Sequence, residues 1–228
     1  RDGMEHLYRT TSKWTYAINL PLFLVLVLFP QTILGLFGKG FEAGSAALVV
    51  MAFAGLANAG TGTSGAILDM AGYTGLKLVN SGAALGTALL LNLVLIPPLG
   101  LMGAAIALTA STAVLNFLRL AEVGWLLRLN PYDRSFLKPT AAGVLAIVAA
   151  LGVAFGVSQL GWDALMAAVA GIAALGLVYT VALVRLGLSD DDRAVLRGMW
   201  QRIRRRGPRT NRRASAAVAE PPVAEVPR

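Results

Sequence analysis

The chain has 228 residues, of which 56% are hydrophobic and only 14% charged, with a mean hydropathy of +0.66. Soluble domains carry about 25% charged residues, so an ordinary water-soluble globule is excluded. The net charge of +8 does not point to nucleic acid, because ten of the twenty basic residues and five of the twelve acids follow Ser189; most of the excess sits in a tail flanking the membrane, where it holds that side in the cytosol.

The charges are unevenly spread, and between them lie apolar runs of about 20 residues, the length of a helix that crosses the hydrocarbon core. A membrane barrel would show short alternating segments instead. The chain opens on Arg1-Asp2-Gly3, with no initiator Met, signal pattern or cleavage site, and is expected to be a fragment preceded by further helices. Residues 1–13 are read as a cytosolic N-terminal segment. Six spans follow, near residues 16–38, 45–68, 76–96, 101–127, 140–160 and 164–187. The first contains Pro21 and Pro30, each of which removes a backbone donor and frees a carbonyl for a neighbouring helix to satisfy. The third is expected to stop at Pro97-Pro98, and the fourth before Asn130-Pro131. The expected organisation is four transmembrane helices in residues 14–128, an additional hairpin in 139–187, an amphipathic cytosolic helix in 189–206 and a disordered basic tail in 207–228.

Loop charges orient these spans. With the N-terminus in the cytosol, the inner segments carry Arg1, Arg9 and Lys13, then Lys77, then Arg128, Arg134 and Lys138, then the tail. The outer loops carry only Lys39, beside Glu42. That asymmetry places both ends inside. After the last span, Ser189 with Asp190, Asp191 and Asp192 forms a helix-start signal; Leu196, Met199, Trp200 and Ile203 then recur at helical spacing before an arginine cluster. This pattern is read as a helix lying on anionic lipids of the inner leaflet.

No hydrolase or transferase constellation is visible. The single histidine, His6, precedes the first span, and no phosphate-binding loop occurs. No enzyme activity, cofactor or metal is therefore expected. Gly82 with Gly86, and Gly152 with Gly156, have the spacing that lets helices approach closely. Polar residues within the spans are costly in lipid and mark contacts or a cavity. Asn19, Gln31, Asn58, Asn80, Asn92 and Asn116 are the amides. Asn58 opens the weakly apolar stretch 58–64, which is fit either to line water or to hydrogen-bond another helix. Arg119 and Glu122, three apart near the cytosolic end of the fourth span, share a face and are placed to neutralise each other, or to touch an anionic substrate. Asp69 is read as a boundary residue. The candidate substrate-path residues are Asn58, Asn80, Asn92, Asn116, Arg119 and Glu122.

The block from Asn80 through Asn92 to Leu95-Ile96-Pro97-Pro98-Leu99-Gly100-Leu101-Met102-Gly103-Ala104-Ala105-Ile106-Ala107 resembles the C-terminal module of polysaccharide biosynthesis flippases. Pro21, the Ile33-Leu34-Gly35-Leu36-Phe37-Gly38 run, the loop at residues 71–77 and the acidic start at 190–192 are also similar to that family. Pro98 departs from the family's more usual single-proline turn. The resemblance implies the C-terminal part of a two-bundle transporter of the multidrug, oligosaccharidyl-lipid and polysaccharide exporter superfamily, with the rest of the transporter as its partner. It implies alternating access, driven by an ion gradient, for an undecaprenyl-pyrophosphate-linked glycan in a bacterial inner membrane. A lipid II flippase or a drug/cation antiporter shares that fold, and a non-transporting membrane scaffold is the alternative of a different class.

Overall fold

The computed structural model describes residues 2–130, 132 and 134–186. The expected amphipathic helix at 189–206 and the tail at 207–228 lie outside the described residues, as does Gly187. The described chain is all-α, with α1 (Asp2–Leu28), α2 (Pro30–Gly35), α3 (Ser45–Thr61), α4 (Ser64–Met70), α5 (Thr74–Leu99), α6 (Leu101–Glu122), α7 (Leu137–Gln159) and α8 (Ala164–Arg185). Six helical segments are long and apolar enough to cross a membrane: Glu5–Leu28, Phe41–Thr61, Thr74–Leu99, Leu101–Leu127, Leu137–Gln159 and Ala164–Arg185. The protein is thus built as a multi-pass membrane protein.

Boundaries differ from the sequence expectation in several places, one of them the break between α3 and α4 described below. Helix α1 begins at Asp2, well ahead of residue 16, because its polar first half packs against α4 and the α6 end instead of standing in water. The first span breaks at Phe29–Pro30, so that α2 is a separate turn with proline at its start. At the other proline site the helix does not stop: α5 continues through Pro97 and Pro98 to Leu99. The missing proline donors concern only the last turn, and Gly100 ends the helix at a positive φ of +54° while donating its N–H to Ile96 O at 2.8 Å. Gly103, three residues on, faces the Leu95 carbonyl so closely that a Cβ would collide with backbone. The Pro-Pro-Leu-Gly-Leu-Met-Gly run is therefore the local recipe for a tight α5–α6 hairpin.

In space the helices form a row. Helix α5 packs on α6, α6 on α3, α3 on α1, and α1 on α7, with α8 closing the far end against α7 and α1. Helix α5 is the free edge: none of the residues in its most apolar stretch is buried. Its outward side is Leu78, Val79, Leu85, Leu89, Leu90 and Leu93, a surface suited to lipid. The glycine pairs sit on open surface too, since Gly82, Gly86, Gly152 and Gly156 have nothing within van der Waals reach of where a side chain would start. Among the described residues they meet no neighbouring helix.

The α7–α8 hairpin is joined to the row through an alanine-rich core of Ala142, Ala146, Ala150, Ala168 and Ala182 packed on Leu20 and Leu24. One hydrogen bond there answers a backbone defect. Pro21 has no N–H to give to the Ala17 carbonyl four residues earlier, and the buried Tyr179 hydroxyl of α8 donates to that oxygen at 2.6 Å. Removing the hydroxyl with Tyr179→Phe should destabilise the fold by about 1–3 kcal/mol, the cost of a bare buried acceptor. In a Pro21→Ala background position 21 regains an N–H for the same carbonyl, and most of that cost should disappear. A double-mutant cycle on thermal unfolding in detergent checks it; equal costs in the two backgrounds would refute the account.

Candidate functional site

The polar groups within the spans collect at one end of the row, at the end of α3, the start of α5, the last turns of α6 and the first half of α1. The origin of the cluster is a helix break. Gly62 takes a φ of +61°, and the space a side chain would need there is filled by Ser12 of α1, whose Cα would lie 2.8 Å from a Cβ. Only glycine meets both demands. The second apolar span accordingly divides at Gly62–Thr63 into α3 and α4. Hydroxyls then bond back into the broken turn: Thr61 Oγ1 donates to Asn58 O at 2.9 Å, and Ser64 Oγ to Thr61 O at 2.5 Å. Tyr8 of α1 closes the other side through its hydroxyl, 2.6 Å from Ser64 Oγ. Thr61, Ser64, Ser12 and Tyr8 are all buried.

Helix α6 lays three polar side chains along this break. Asn116 is 3% exposed; its Oδ1 lies 3.3 Å from Thr61 Oγ1 and shares that hydroxyl's one proton with the Asn58 carbonyl, while its Nδ2 is buried with no hydrogen-bond partner. Arg119, one turn on, packs its guanidinium over Gly65 at the start of α4, and its Nε is likewise buried without a partner. Glu122 is half-buried and accepts from Asn80 Nδ2 at 2.6 Å, Asn80 being 1% exposed on α5. Among the described residues no ion pair joins Arg119 to Glu122, although the two share a helix face. Asn80 reaches Glu122 from the neighbouring helix, and Arg119 turns the other way, toward α4. The site thus leaves three buried polar atoms without a hydrogen-bond partner: the donors Asn116 Nδ2 and Arg119 Nε, and the hydroxyl of Ser12, which can donate or accept.

Asn80, Asn116, Arg119 and Glu122 are therefore brought to one end of the row. Asn58 is exposed, and only its carbonyl joins the network. Asn92 is half-buried on α5 and lies about 18 Å along the axis from Asn80, outside the cluster. Asp69 bonds Lys77 at 2.7 Å across the short α4–α5 turn, as a boundary residue would. Sequence reasoning missed Ser12, Tyr8, Thr61 and Ser64. The Thr61-Gly62-Thr63-Ser64 run inside an apolar span was the available signal for the break; nothing marked Ser12 as its partner.

A cavity of about 500 Å³ opens beside the cluster between α1, α3 and α6, with Asn116 and Thr61 in its wall. A second, of about 430 Å³, continues from Leu120 and Tyr132 to Arg128. Asn80→Asp tests the polar contact at Glu122: two carboxylates would face each other where an amide now donates. The variant should lose stability at neutral pH. The loss should shrink on acidification, when one carboxyl of the pair takes a proton and can donate. Thermal unfolding against pH, compared with Asn80→Ala, reads the difference; a deficit independent of pH would show that the two side chains do not face one another. No family model, curated protein or solved structure compared with this chain matches it.

Proposed function

We propose that the chain belongs to a flippase that moves an undecaprenyl-pyrophosphate-linked oligosaccharide across a bacterial inner membrane by alternating access, with both ends of this segment in the cytosol. The observation that carries this reading is Arg119, a cation within a membrane-spanning helix whose Nε is buried without a partner, one turn from the bare amide of Asn116. Arg119 is half-buried, and a cation within a membrane span without a carboxylate partner favours a site for an anion. In this reading the pyrophosphate is that anion, taken at the cytosolic mouth, while the polyprenyl tail stays in the bilayer. Asn80 supports the arrangement by holding Glu122, which would otherwise compete for the guanidinium. The flippase-like block from Asn80 to Ala107 and the loop charges support the same reading. The superfamily's two-bundle architecture would place the rest of the transport path on helices outside this segment.

Two experiments follow. Deleting the full-length gene in its host should leave lipid-linked glycan on the inner leaflet and strip surface glycan. Wild-type protein should restore both, and Arg119→Gln, present in the membrane at normal level, should not. Normal surface glycan in the null strain, with no redundant flippase, would sink the proposal. The orientation is read separately, because the chain has no cysteine and a single introduced thiol is unique. On intact cells an impermeant maleimide should label Trp162→Cys and leave Tyr73→Cys unlabelled until the cells are opened; the reverse pattern would invert the topology.

A further inference from the structure

The cavity between α1, α3 and α6 has an unusual combination of walls. Tyr16, Phe53, Phe117 and Tyr132 give it aromatic surface, Asn116 and Thr61 give it polar groups, and its lining carries no charge. The aromatic side is held in place: Tyr16 and Tyr132 each pack on Phe136, with ring centroids 5.5 and 5.6 Å apart, and Phe53 meets Phe23 edge-on at 5.0 Å. The polar side is incomplete, since Asn116 Nδ2 is buried and unpartnered. A volume of about 500 Å³ falls within the roughly 300–1,000 Å³ range of small-molecule sites, which are mostly apolar with a few placed polar groups.

We infer that this cavity binds one uncharged sugar ring. An acyl chain has no acceptor and would leave the Asn116 N–H bare in a medium of low dielectric, at a cost of about 1–3 kcal/mol. A phosphate would enter a site with no cation in its wall. A neutral pyranose meets both demands, because its C–H faces lie against aromatic rings while hydroxyls at its edge accept from Asn116 and exchange hydrogen bonds with Thr61. The inference rests on the flippase reading for the source of the sugar and adds a division of labour. The anion is taken near Arg119, and a neutral ring of the glycan sits on the other side of Asn116, against α1 and α3.

The test uses a single thiol at Ala57, an exposed residue in the cavity wall, in a chain that otherwise has none. With Ala57→Cys in liposomes, N-ethylmaleimide should label the thiol, and octyl glucoside below its micellar concentration should slow that labelling. An octyl oligo(ethylene glycol) ether, with the same tail and no sugar, should not. Asn116→Leu should weaken the glucoside's protection by about 2- to 10-fold, the equivalent of one neutral hydrogen bond. Thr61 keeps its bond to the Asn58 carbonyl in that variant. Phe117→Ala removes an aromatic wall at a residue 71% exposed, so folding is not at risk, and should also weaken protection. Three results would each overturn the inference: no labelling at all, which means lipid or another helix covers the cavity; equal protection by both amphiphiles; or protection unchanged in both variants. The probe is a simple glucoside, so these failures leave the gene-deletion result untouched, and a failed gene deletion leaves glucoside binding to stand or fall by itself.

Discussion

Inside a bilayer no water is available to a backbone group that loses its helical partner, so each such group must find another within the protein. The Ala17 carbonyl, orphaned by Pro21, meets this constraint through Tyr179 of α8. That bond gives the α7–α8 hairpin a directional contact to α1, beside the alanine, leucine and Phe29 packing around it and the Tyr16–Thr140 hydroxyl contact on α7. Helix α1 is consequently the hub of the row: α3 lies on one side of it and the α7–α8 pair on the other. A proline that looks like a defect in a spanning helix thus determines where a helix more than 150 residues later must dock.

The same constraint produces the polar cluster. Gly62 lets Ser12 approach so closely that a continuous helix from α3 into α4 gives way, and the carbonyls released at the break need donors. The hydroxyls of Thr61 and Ser64 supply them from within the broken turn. Once those hydroxyls are buried, they recruit Tyr8 from α1 and Asn116 from α6. Fold and candidate site are therefore not separable at this end of the row: the groups with binding capacity are those gathered to mend the interruption. What the mending leaves unsatisfied is Asn116 Nδ2, Arg119 Nε and the hydroxyl of Ser12.

The spans were legible in the sequence because an apolar run of sufficient length has few alternatives in a chain this poor in charge. Four of the proposed site residues come together as well: Asn80, Asn116, Arg119 and Glu122 all reach one end. What spacing did not reveal was partnership. Arg119 and Glu122 sit three apart, a separation that places them on one face of α6, yet the face says nothing about Asn80, which comes from another helix and takes the carboxylate. Asn58 failed for a related reason: α3 lies mid-row with neighbours on two sides, so an amide there can equally point out between them. The glycine pairs show the limit of motif reading, because spacing alone permits close approach but does not supply the approaching helix. Pro97-Pro98 signals a stop, whereas the helix ends a little later at Gly100, where a positive φ makes the turn possible.

The contrast between the faces of the row bears on how such a segment works. Along α5 the exposed side chains are leucine and valine, which hydrocarbon solvates without penalty. The groove over α3 is different in kind: it exposes aromatic rings and small residues around an amide that lacks an acceptor, and an acyl chain filling it would leave that amide unpaired. The two surfaces cannot be equally content with lipid. The difference between the two surfaces rests on the polar wall of the groove, Asn116 and Thr61, set against the leucine- and valine-rich outward side of α5.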